Sequence, residues 1–356
     1  MPEFTTLVSG LSFTECPRWR DGRLYVSDFY THRVFAFAMD GTAETIAHVP
    51  QQPSGLGFLP DGRLLIVSMR DRKILRRETD GSLVTHADVS ALAPGFLNDM
   101  LVDRDGRAWV GNFGFDLMGG APARTTVLIC VEPDGAANVV ADELGFPNGM
   151  VLTADVRTLI VAETTMNRLT AFNVSAGSLS NRRTWAAFGD PPAATNADEA
   201  LGQSAVVPDG ICLDAEGHVW VADAAHRRLV RVAERGRIVE ELKTNGLGAF
   251  ACMLGGDDGR TLFACVAPTF HEAQASANHQ AAILIAKVKV PHAGLPQQRF
   301  DHAKGNRAAG SDSSGHGFNG VATFRSSGHA SSRAATSGSS GHGFSRAATS
   351  GQTKGF

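Results

Sequence analysis

No apolar run in this 356-residue chain approaches the ~18 residues that a membrane-spanning helix needs, so no membrane span is expected. The opening MPEFTTLVSG lacks the basic and apolar regions of a secretory signal, which makes a cytoplasmic location the expectation. Cysteine is sparse: Cys16, Cys130, Cys212, Cys252 and Cys265 are odd in number and have no Cys-x-x-Cys spacing. That indicates neither a disulfide framework nor a structural zinc site, and most of the five read as buried small hydrophobes. There is no Gly-x-Ser-x-Gly elbow, so a serine-hydrolase triad has no support. Basic residues are scattered among acidic ones without the stripe that nucleic acid requires. Helical periodicity is almost missing between the strand-like segments, which argues against a parallel α/β fold.

What the chain does have is recurrence. A short polar turn followed by a small apolar strand occurs six times, beginning with WRDGRLYVSD (Trp19 to Asp28) and LPDGRLLIVS (Leu59 to Ser68) and ending with DDGRTLFACV (Asp257 to Val266). The turn glycines or their equivalents stand at 22, 62, 106, 156, 217 and 259, giving spacings of 40, 44, 50, 61 and 42 residues. Spacings near ~40 to 45 suit four-stranded propeller blades. Each turn makes one hairpin, and a second strand pair follows, as in RVFAFAMDG (Arg33 to Gly41) and AILIAKVKV (Ala282 to Val290). The expected fold is all-β, a six-bladed β-propeller over residues 1–296, favoured over a sandwich or barrel. Beyond Pro296 the composition changes: from Gln297 onward seven basic residues face two acidic ones, and SSGHGF and RAATSG each occur twice. Residues 297–356 read as a disordered low-complexity tail. His302, His316, His329 and His342 could bind metal weakly there; a linker or non-native extension without a role is the plainer reading.

In a propeller the strand entering each hairpin is innermost and lines the channel. Eight residues before each turn position stand Ser54, Asn98, Asn148, Asp209 and Ala251; the shorter first copy gives Glu15 at seven. Four of these six, Glu15, Asn98, Asn148 and Asp209, carry oxygen donors suited to a hard divalent cation. Calcium is the most natural ion, with magnesium or manganese possible. A cation would also relieve the repulsion between two converging carboxylates. Taken singly, Asn148 and Asp209 beside glycine could instead satisfy turn backbone groups; their shared register favours the ring. His226 and His271, near strand ends, are more simply surface or structural histidines. The long loop from Asp190 to Val207 is a candidate lid.

The segments TECPRW, LNDMLVD, PNGM, LSNRR, PDGICLDAEGHVWVA and ACMLGG, in this order, resemble the senescence marker protein, gluconolactonase and luciferin-regenerating enzyme family over about Leu7 to Pro296. The resemblance implies a six-bladed propeller with one catalytic divalent metal that hydrolyses lactones or related esters. It implies Glu15, Asn148 and Asp209 as metal ligands, Asp209 also as general base or acid, and Asn98 as a substrate contact. Two positions depart from the family pattern. Phe96 replaces an arginine that holds polar substrate groups in sugar-lactone members, so a less polar lactone or ester is expected. Cys16 replaces glycine after the metal-binding glutamate, either as a harmless small residue or as a thiol shifting preference toward zinc. The expected partner is a small-molecule lactone or ester, with no nucleic acid and no membrane; the oligomeric state is open. Phosphotriester hydrolysis at the same metal site and a non-catalytic calcium-binding propeller are the alternatives.

Overall fold

The computed structural model describes residues 3–117, 119–193 and 197–294, so the expected tail and its four histidines lie outside the described residues. Six four-stranded antiparallel sheets are present, and the propeller is confirmed. The first five blades run in chain order from the innermost strand outward, starting at Thr14–Arg20, Pro53–Phe58, Leu97–Val102, Pro147–Leu152 and Pro208–Leu213. Each innermost strand packs on the next, and the sixth, Gly248–Gly255, packs back on the first, which closes the ring.

The sixth blade differs from the sequence expectation. Its chain supplies Gly248–Gly255, Thr261–Ala267 and Ala281–Lys287, while its outermost strand is Thr5–Leu11 from the other end of the propeller. Thr5 faces Ile285 and Leu11 faces Ala281. The ring is thus stitched shut by hydrogen bonds between distant segments, leaving this blade without an open edge at Ala281–Lys287.

Sequence explains the blades locally. Turn glycines Gly22, Gly62, Gly106, Gly217 and Gly259 all adopt positive φ, the conformation the tight hairpins require. In the fourth blade Val156 takes that position with φ 59, which is costly for a β-branched side chain. The innermost strands of blades two to four are buried at every residue, consistent with sheets covered on both sides. The wide fourth interval holds a loop with the short helix Ala197–Gln203.

Candidate functional site

Every innermost strand breaks register with its neighbour at the same level. The shifts fall between Glu15 and Arg18, Pro53 and Leu56, Leu97 and Met100, Pro147 and Met150, Pro208 and Ile211, and Ala249 and Ala251. The ring residues lie in or at the edge of these bulges, which release backbone from the ladder and re-aim side chains. The glycines that follow serve close approach rather than turns. A Cβ on Gly149 would lie 2.5 Å from the Ile211 nitrogen and one on Gly210 2.6 Å from the Ala251 Cα. Neither glycine has positive φ, so Asn148 and Asp209 are strand residues, not turn formers.

Glu15, Asn98, Asn148 and Asp209 are all buried, and all four line one cavity of about 170 Å³. Ser54 stands beside them, its hydroxyl 3.4 Å from the Asn98 Oδ1. Asn148 is oriented from behind: its Nδ2 donates to the Thr164 hydroxyl at 3.1 Å, and that hydroxyl donates to the Pro208 carbonyl at 2.9 Å. One hydroxyl therefore ties the fourth blade's amide to the backbone just before Asp209.

Burial pushes the Glu15 carboxyl well above the usual carboxylate range, and the negative charges of Asp209 and Asp99 push it further. Burial likewise raises Asp209, reinforced by Asp99 and opposed by the Asn148 side chain and the Gly210 N–H. A cation among them would reverse both effects. The donor set fits a hard divalent ion: two carboxylates and two amides, with no imidazole lining the cavity among the described residues. No group of three or more His, Cys, Asp or Glu residues placed to hold a metal ion occurs among the described residues. Cys16 does not join them. It sits at φ 54, where glycine is favoured, with its sulfur 3.8 Å from the Ser54 hydroxyl and its thiol pushed up by burial and by Asp99 and Glu15.

Several site features have no counterpart in the sequence reading. Asp99, next to Asn98, forms an ion pair with Arg18 across the axis at 2.8 Å, both side chains largely buried. The cavity walls are aromatic: Phe13, Phe29, Phe113, Phe146, Phe250 and Phe270 line it, with Leu201 and Val207. The loops bearing some of these are held by buried acceptors at the ends of second strands. Asp28 accepts the Phe13 N–H at 2.9 Å, Glu163 the Gly145 N–H at 2.8 Å and Asp223 the Val207 N–H at 3.0 Å. The signal was available: these acceptors recur at one strand position, but they are separated by whole blades.

Phe96 packs partly buried against the core and does not line the cavity among the described residues; its carbonyl accepts the N–H of Phe113, which does. His226 pairs with Asp223 at 2.8 Å, and His271 stands exposed at the N-cap position of the short helix Glu272–Asn278 without a side-chain capping hydrogen bond. Leu201 and Val207 bring the loop between Asp190 and Val207 to the cavity, where residues 194–196 lie outside the described residues.

A six-bladed propeller with a buried ring of oxygen donors at one level of its axis defines the class. Residues 13–267 match the family described as SMP-30/Gluconolactonase/LRE-like region, and the chain belongs to that family. It is 28% identical over 252 residues to regucalcin of Xenopus laevis, covering 68% of this chain and 79% of that protein. It is 27% identical over 213 residues to pentonolactonase XacC of Haloferax volcanii, covering 58% of this chain and 65% of the relative, so the alignment spans less than two thirds of that protein. Among solved structures, a regucalcin described as calcium-binding, from Agrobacterium tumefaciens, shares the fold with TM-score 0.68 at 19% identity, over 84% of this chain and 98% of that one. A gluconolactonase from Xanthomonas campestris superposes with TM-score 0.64 at 24% identity, over 82% and 90%.

Proposed function

We propose that this protein is a divalent-cation-dependent lactonase that opens a lactone, or a related ester, by attack of water. The observation that carries the reading is the convergence of Glu15, Asn98, Asn148 and Asp209 on one buried cavity, with both carboxyls strained by burial. Relatives named as lactonases support the reaction class. Glu15, Asn148 and Asp209 are the residues that would hold the ion, calcium by their donor chemistry. Such an ion supplies polarisation of the ester carbonyl and keeps the neighbouring carboxylates charged.

The chain's own groups account for the rest. Asp209 accepts the proton of the attacking water and returns it to the leaving alkoxide oxygen. Asn98 can donate its amide N–H to an oxygen of the substrate. The aromatic walls lower the polarity around the buried carboxyls and amides, which strengthens polar contacts there.

The test is a lactone panel followed by pH-stat titration. Chelator should abolish turnover and calcium restore it, while Asp209→Asn loses at least about 100-fold in kcat. Calcium-dependent stabilisation without any turnover would instead support a binding protein. Faster cleavage of neutral phosphotriesters than of every lactone would support the alternative hydrolase.

A further inference from the structure

We infer that the ligand of this cavity is a flat, apolar ring system, an aryl-fused lactone rather than a polyhydroxylated sugar lactone; the inference rests on the lactonase reading above. Three observations carry it.

The first is the position of the phenylalanines. Phe13 and Phe29 belong to the first blade and Phe250 and Phe270 to the sixth, and they pack edge to face, Phe13 on Phe29 at 5.3 Å and on Phe250 at 4.8 Å. Phe113 leaves the third blade and Phe146 enters the fourth, their rings 4.7 Å apart and nearly perpendicular. The junction of blades six and one lies three blades from that of three and four, so the two aromatic groups stand on opposite sides of the axis. Between them a planar ring meets aromatic surface on both sides, an arrangement that favours stacked or edge contacts.

The second is the distribution of polar groups. Glu15, Asn98, Asn148, Asp209, Thr164 and Thr165 are the polar residues lining the cavity among the described residues, and no Arg, Lys or His is with them. The Thr164 hydroxyl is already committed to Pro208 and Asn148. Sugar hydroxyls projecting toward the walls would lose water and find phenyl rings, which costs binding. A carboxylate, sulfonate or phosphate projecting toward the walls would find no cationic side chain among the described residues.

The third is size and strain. About 170 Å³ is comparable to an engineered apolar cavity of roughly 150 Å³ that takes up benzene, so there is room for a compact ring system. Phe146 holds its ring in this wall at φ 55, where glycine would be relaxed. Backbone strain of this kind persists where the surrounding structure enforces it, and it gathers at binding sites.

The experiment compares dihydrocoumarin with gluconolactone on the calcium-loaded full chain, and measures binding of dihydroquinolinone, the lactam isostere of dihydrocoumarin, by calorimetry. The expected result is kcat/KM at least about tenfold higher for dihydrocoumarin, with Phe146→Gly lowering that ratio about tenfold. Glycine relaxes the backbone there but removes a buried phenyl, so thermal melts accompany the assay and Phe113→Leu, which keeps an apolar side chain, serves as the second variant. A preference for gluconolactone overturns the inference and leaves the lactonase reading standing. No hydrolysis of either compound, with dihydroquinolinone bound by wild type and weakened in Phe146→Gly, ends the lactonase reading and keeps the apolar ligand class. Neither hydrolysis nor lactam binding overturns both.

Discussion

At the scale of single residues, the site is a conflict between charge and burial that the fold tolerates. Glu15 and Asp209 have carboxyls raised above their unfolded values, chiefly by burial. Such groups favour the folded state below the ordinary carboxylate range and lose that contribution as pH rises through the raised values. Chelated protein should therefore lose stability between mildly acidic and neutral pH, and calcium should flatten the loss. Glu15→Gln removes one of the charges, so the chelated variant should melt above chelated wild type at neutral pH while losing its response to calcium; scanning calorimetry with and without calcium decides this. A separate strain sits at Val156, whose φ of 59 occupies a glycine position in the repeat. Val156→Gly should stabilise the protein by about 1 kcal/mol in urea melts, because left-handed backbone costs a side chain ~1–2 kcal/mol and the residue is only partly buried.

At the scale of elements, the innermost strands are held closer than ordinary side chains permit. Gly149→Ala would drive a methyl group into the Ile211 nitrogen and Asp209 carbonyl, at 2.5 and 2.6 Å, where no flexible side chain can yield. Destabilisation on the order of 3 kcal/mol is expected, with a weaker calcium response because Asn148 and Asp209 move apart. Denaturant melts and calcium titrations of the same variant test both parts. This also shows why ring and walls differ in how they could be read from sequence. Asn98, Asn148 and Asp209 share one offset from their turns and Glu15 stands one residue closer to its own, so the repeat itself exposed them. Of the wall phenylalanines, Phe13, Phe146 and Phe250 stand one or two residues before ring positions, while Phe29, Phe113 and Phe270 follow the second strands of their blades; Asp28 and Glu163 hold the Phe13 and Gly145 N–H groups beside them. Phe96, singled out by sequence, belongs to the same shell but faces the core, one hydrogen bond behind Phe113.

At the scale of the whole molecule, six blades were legible because each one announces itself with its own turn. The closure was not, since nothing in TTLVSGL specifies a partner about 280 residues away. Deleting the segment through Leu11 would leave Ala281–Lys287 as an exposed strand edge. Lowered Tm, by roughly 5 °C or more, and concentration-dependent association in size-exclusion chromatography are the expected outcomes.

The same stitch sets a condition on how the protein is made. Thr5–Leu11 leaves the ribosome long before Ala281–Lys287 is synthesised, and at ~5–20 residues per second the wait is on the order of ten seconds to a minute. The early segment must remain dissolved and unclaimed through that time, and its alternation of threonine, serine and glycine with leucine and valine suits it to wait. Nascent blades can form in order behind it, but the last one is finished only when Ala281–Lys287 meets a strand made much earlier.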